Sequence, residues 1–158
     1  MKSVRAEFKL ENHFVNKDGS IITFDKEFVK IPSKKKPEDA AYDITSAVDG
    51  IIPTKGSHVF HTGVRLSVPL GWYYEIKGRS GLGFSNIVPF IGTIDATYSG
   101  YIQIKLFNLS DTDYKVHKGD RIAQLLFHEQ TEMTPVEVDE FSPAYNKRGE
   151  NGFGSSGV

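Results

Sequence analysis

The 158-residue chain contains no cysteine. That excludes disulfide staples and thiolate metal sites, and a reducing compartment suits it. It also lacks an excess of charge of either sign. A formal net charge of −1 gives no global attraction to nucleic acid or to a membrane, so any anion must be met by a local cluster. No apolar run approaches the length of a membrane span. The N-terminal "MKSVRAEFKL" has charges throughout and no apolar centre of signal-peptide length. The expectation is a soluble, cytoplasmic protein with no direct nucleic-acid binding and no membrane anchor. Long 3.6-residue apolar stripes, internal repeats and dividing linkers are missing as well. What remains is 39% hydrophobic and 25% charged, enough for one domain with a real core and too short for two.

Most of the chain reads as short strands. "VRAEFKL" alternates, with Val4, Ala6, Phe8 and Leu10 on one side. "NKDGS" is a turn signal followed by β-rich residues, so residues 3–31 have room for a hairpin. "GVRLSVP" sets Val64, Leu66 and Val68 on one face, and "YIQIKLFN" does the same with Ile102, Ile104 and Leu106. "RIAQLLF" is apolar on both faces, as a central strand is. Turns recur at Asp49-Gly50, Leu70-Gly71, Ser99-Gly100 and Lys118-Gly119-Asp120. This spacing predicts an all-β sandwich or barrel, with one short helix around residues 80–86.

Several loops are more specific than turns require. "KGRSGLG" sets Arg79 and Ser80 between glycines at a strand end: an ordinary glycine turn, or an anion cradle of backbone N–H groups. "GTIDATYSG" holds Asp95 and Tyr98, either an Asx-turn with a packed ring or a carboxylate base beside an aromatic platform. Gln124 is the polar side chain within an apolar strand, and its amide needs partners from the backbone or from a ligand. Asp43 in "AAYDITSA" follows two small residues and suits the cap of a turn. His58 and His61 sit three apart on a predicted strand, facing opposite ways, which suits packing better than a metal. The end, "RGENGFGSSGV", has too little apolar surface to fold alone, yet offers a cation, a ring and open backbone donors.

In this order, "AAYDITSA", "GRSGLG", "GTIDATYSG", "KGDRIAQLLF" and "RGENGFGSSG" resemble the five motifs of the trimeric dUTP pyrophosphatase (dUTPase) family, over residues 31–158. The resemblance implies a distorted jelly roll of β-barrel type. It also implies a homotrimer with active sites shared between subunits and a C-terminal arm exchanged among them. Residues 1–147 would form the β domain and 148–158 the arm, with 11–27 an inserted hairpin. The implied reaction converts dUTP and water to dUMP and pyrophosphate with Mg²⁺ on the triphosphate, limiting uracil in DNA and supplying dUMP.

The family's roles carry over by position. Asp95 matches the water-activating aspartate, and Tyr98 the ring under the deoxyribose. Arg79, Ser80, Gly81 and Gln124 match phosphate contacts. Asp43 matches the acid that holds the metal's water shell. The uracil site is implied within the stretch from Asn86 to Tyr101, at Asn86, Gly92 and Ile94. Arg148 would clamp the γ-phosphate, Phe153 stack on uracil, and Gly154, Ser155 and Ser156 donate to phosphate oxygens. Departures are mild. Ala41 and Asn151 stand where glycines are usual, Ser156 replaces threonine, and the segment from Ser80 to Asp95, containing Pro89, is a few residues short. dCTP deaminase shares the fold but uses a glutamate and a different Arg/Ser-rich motif, so it is the weaker reading. A nucleotide-sensing regulatory protein with a further protein partner is the alternative of another class.

Overall fold

Alternation decides the architecture. In the computed structural model, which describes residues 3–143, the strand Ser57–Ser67 buries Phe60, Val64 and Leu66, and Tyr101–Asn108 buries Ile102, Ile104 and Leu106. Numbered in chain order, the strands are β1 (Glu7–Leu10), β2 (His13–Val15), β3 (Ile21–Thr23), β4 (Tyr42–Thr45), β5 (Gly50–Ile52), β6 (Ser57–Ser67), β7 (Trp72–Lys77), β8 (Ile87–Pro89), β9 (Thr93–Asp95), β10 (Tyr101–Asn108), β11 (Tyr114–Val116) and β12 (Arg121–Glu129). The helix α1, Ser80–Phe84, falls within the predicted window.

Two antiparallel four-stranded sheets form the body, in the orders β1-β6-β10-β8 and β4-β12-β7-β9. Their inward residues meet in one core. Phe60, Leu66, Ile104 and Leu106 of the first sheet join Ile44, Tyr74, Ile122 and Leu125 of the second. Each such side chain contributes roughly 1.5–3 kcal/mol by leaving water. The pairs β5–β11 and β2–β3 flank this body, and neither large sheet closes into a barrel. β12 lies between β4 and β7, with Ile122, Ala123 and Leu125 in the core.

The buried Ser46, Thr62 and Asn108 side chains are each hydrogen-bonded. Asn108 donates to the carbonyls of Ile52 (3.0 Å) and Thr112 (2.7 Å), fixing the end of β10 to β5. Among the described residues no helix is long and apolar enough to cross a membrane. Arg148, Phe153, Gly154, Ser155 and Ser156, expected in the closing arm, lie outside the described residues.

Candidate functional site

The sheet β4-β12-β7-β9 arranges the motif residues in two places. At one corner, β12 pairs Gln124 with Asp43 of β4 on one side and with Lys77 of β7 on the other. The turn leaving β7 brings Arg79 back over this corner. Arg79 Nε donates to Asp43 Oδ1 at 2.7 Å, and Arg121 Nη1 to Asp43 Oδ2 at 3.2 Å. A further Arg79 nitrogen donates to the Arg121 carbonyl at 3.2 Å. Gln124 Nε2 donates to the Gly78 carbonyl at 2.6 Å, which answers the question of its partner with the backbone. Asp43 keeps only 20% of its side chain exposed, so its charge is shared with two guanidinium groups in a half-buried setting. Ser80 and Gly81, exposed at the start of α1, lie next to Arg79.

Asp95 ends β9 on the opposite edge of the same sheet, across from Tyr73. Among the described residues its carboxylate accepts no hydrogen bond and meets no cation. A turn follows, in which the Tyr98 N–H donates to the Asp95 carbonyl at 3.1 Å. The Tyr98 ring folds back over Gly100. A Cβ at Gly100 would stand 2.8 Å from Tyr98 Cε2, so this seat requires glycine's missing side chain. The Tyr98 hydroxyl donates to the Tyr101 carbonyl at 3.0 Å. Asp95, Tyr98, Thr93, Tyr101 and Gln103 line an open cleft of about 370 Å³, floored by Tyr74, Ile76 and Ile94. Tyr74 is 1% exposed, and its hydroxyl is the buried side-chain polar atom without a partner among the described residues. Burial first, and Tyr98 nearby, push its phenol well above the ordinary range, so it is a fixed donor.

The other candidates distribute unevenly. Ile94 belongs to the cleft, and the Gly92 carbonyl accepts the Ile76 N–H at 2.9 Å beside it. Asn86 sits just beyond α1 in left-handed geometry (φ 60°), where its N–H caps the Gly83 carbonyl. It is not among the cleft residues. Neither His58 nor His61 joins a metal cluster, and no group of three metal-ligating side chains occurs among the described residues. Instead His61 packs on Phe14 at 4.5 Å and its ring is kept neutral by burial, then by His58. Arg121, Tyr74, Tyr101 and Gln103 were not singled out from the sequence. Arg121 had a signal, since it opens "RIAQLLF" beside Gln124.

Tyr73 and Lys77 are four residues apart on β7, about 13 Å, and β4 and β9 are separated by three strand spacings, about 14 Å. One chain therefore does not gather Asp43 and Asp95 around a single small ligand.

Residues 27–157 match the family model described as dUTPase. The chain is 39% identical over 156 residues to the deoxyuridine 5'-triphosphate nucleotidohydrolase of Arabidopsis thaliana, covering 95% of this chain and 93% of that protein. It superposes on a Staphylococcus bacteriophage 80alpha dUTPase solved with dUpNHpp at a TM-score of 0.77 and 27% identity, over 98% of this chain and 99% of that one. The dUTPase of phage phi11 of S. aureus, whose structure details coordination of a structural Mg(II) ion, gives 0.68 at 24% identity. It covers 87% of this chain and 98% of its own, and speaks for the fold.

Proposed function

Because the chain belongs to the dUTPase family, we propose that the Asp95 cleft and the Asp43 cluster are two halves of its active site. The protein hydrolyses dUTP to dUMP and pyrophosphate. The observation that carries the site assignment is the Asp95 carboxylate, unpaired among the described residues, at the rim of a cleft floored by Tyr74, Ile76 and Ile94. Water is a poor nucleophile at neutral pH, and a carboxylate free of cations and donors can take its proton. In this reading Asp95 removes that proton as the water oxygen bonds the α-phosphorus. The bond from the α-phosphorus to the bridging oxygen breaks, and pyrophosphate leaves with the electron pair. Tyr98 lies under the deoxyribose, where its ring leaves no room for a 2'-hydroxyl. Ile94, Gly92 and Asn86 belong to the segment proposed to meet uracil.

The second half supplies cations. Arg79, with Ser80 and Gly81 beside it and Gln124 behind, holds phosphate oxygens, and Asp43 keeps the guanidinium groups oriented between substrates. The donor set suits Mg²⁺ delivered with the triphosphate. A single carboxylate already shared by two arginines is too little for a resident ion, but enough to order its water shell. When bound with the triphosphate, Mg²⁺ would supply charge neutralisation. The separation of the halves supports a site completed by a second subunit. The resemblance supplies the number three and the closing arm, with Arg148 on the γ-phosphate, Phe153 on uracil, and Gly154, Ser155 and Ser156 on phosphate oxygens.

The test is pyrophosphate release with Mg²⁺ from dUTP, dCTP, dTTP and UTP side by side. Turnover of dUTP alone supports selection of both base and sugar. Comparable turnover of UTP would remove Tyr98 from its role. Binding of dUTP without turnover would favour a nucleotide-sensing protein.

A further inference from the structure

Residues before 27 lie outside the family match, and the β2–β3 hairpin falls among them. Its tip is closed by its own bonds. The Asn16 N–H donates to the Ser20 carbonyl at 2.8 Å, and Asp18 Oδ1 accepts from the Ser20 N–H (2.9 Å) and hydroxyl (2.6 Å). Gly19 supplies the positive φ of 84° that the turn needs. A hairpin so closed is a stiff element, and its base is docked on the nucleotide cleft.

The docking contacts converge on two residues. Phe14 stands edge-on to the Tyr101 ring at 5.0 Å, and the Tyr101 hydroxyl donates to the His13 carbonyl at 3.1 Å. Arg65 of β6 donates from Nε to the Ser99 carbonyl at 2.8 Å, and its Nη1 lies 3.4 Å from Oε1 of Glu11, just before β2, which Lys9 also meets at 2.9 Å. The same guanidinium stacks over Tyr101 at 5.7 Å. Ser99 and Tyr101 flank Gly100, and Tyr98 hangs from the Tyr101 carbonyl. Asp95, by contrast, is fixed by β7 through its pairing with Tyr73. The base is thus anchored through β7 and the sugar-platform ring through Tyr101, with the Tyr98 N–H to the Asp95 carbonyl joining the two.

We infer that the β2–β3 hairpin, together with Glu11 leading into it, is an internal brace for the sugar-binding turn 97–101, with Phe14 and Glu11 as positioning residues that set dUTP affinity and the choice of deoxyribose over ribose. This rests on Tyr98 being the sugar platform. Because the brace grips Tyr98's neighbours and leaves β9 alone, its loss weakens binding and selectivity far more than the chemical step.

The experiment compares the full-length protein with Phe14→Ala, Phe14→Leu and Glu11→Gln. Steady-state kinetics on dUTP and UTP are combined with hydrogen exchange of the peptide spanning residues 95–103. Phe14→Ala is expected to raise KM for dUTP about tenfold with kcat changed less than about twofold, and to narrow the dUTP-to-UTP preference. Exchange at residues 99–101 should quicken, Phe14→Leu should recover most of the loss, and Glu11→Gln should show a smaller shift in the same direction. Unchanged exchange in a folded Phe14→Ala protein would overturn the brace. Quickened exchange with unaltered KM and selectivity would overturn the control of affinity and remove Tyr98 as the platform. Equal losses in kcat and KM that follow the melting temperature, with no recovery in Phe14→Leu, would reduce Phe14 to a packing residue.

Discussion

Two aspartates on one sheet live in opposite circumstances. Asp43 is held by Arg79 at 2.7 Å and Arg121 at 3.2 Å, while Asp95 faces an open cleft with no cation or donor on its carboxylate among the described residues. The difference teaches what each can do. A carboxylate locked between guanidinium groups has its lone pairs engaged and organises positive charge. A carboxylate without such partners keeps its lone pairs for a water. Both sit in short β segments, and it is the register of neighbouring strands that decides which of them meets the guanidinium groups.

Four substitutions would break or sharpen this contrast. Asp95→Asn should abolish turnover, lowering kcat by about 10³-fold or more with dUTP binding retained, since an amide cannot take the water's proton. Pyrophosphate release and calorimetry together read this, and near-normal turnover would return Asp95 to a structural role. Asp43→Asn should cost less, about 10- to 100-fold in kcat/KM, because it frees two arginines without removing the reacting group. A raised Mg²⁺ requirement should accompany it in a metal titration. Gly100→Ala should raise KM for dUTP about tenfold, as the new methyl displaces the Tyr98 ring while leaving Asp95 in place. Tyr74→Phe should be the smallest effect. Removing an unpaired buried hydroxyl should stabilise the empty protein by about 1 kcal/mol in denaturant melts. A loss of stability instead would mean that the hydroxyl is already satisfied.

The local parts of this picture were legible in the sequence. Alternation located the second half of β6 and all of β10 with their buried faces, and the Gly-flanked Arg79-Ser80 announced the helix that starts at Ser80. The β2–β3 hairpin was legible from its turn residues. What escaped depends on pairings between residues distant in the chain. Gln124 lies beside Asp43 only because β12 and β4 pair in one register, and nothing local in either segment encodes that. Arg121 entered the cluster by the same route, through a register shift between Arg121 and Ala123. A similar irregularity between Tyr101 and Gln103, where β10 meets β6, accompanies residues from both faces of β10 lining one cleft. Strict alternation would assign them to opposite sides. Tyr74 was hidden for another reason: an orphaned hydroxyl is a property of its surroundings and leaves no mark in "WYYEIK".

The distance between the halves has a consequence for heredity. If each site takes Asp95 from one chain and the Asp43 cluster from another, a lesion in one gene copy is distributed over its neighbours' sites. Two alleles that are each inactive, one lacking Asp95 and the other lacking Asp43, would then complement each other. In a random equal mixture, about one site in four would unite the two intact halves.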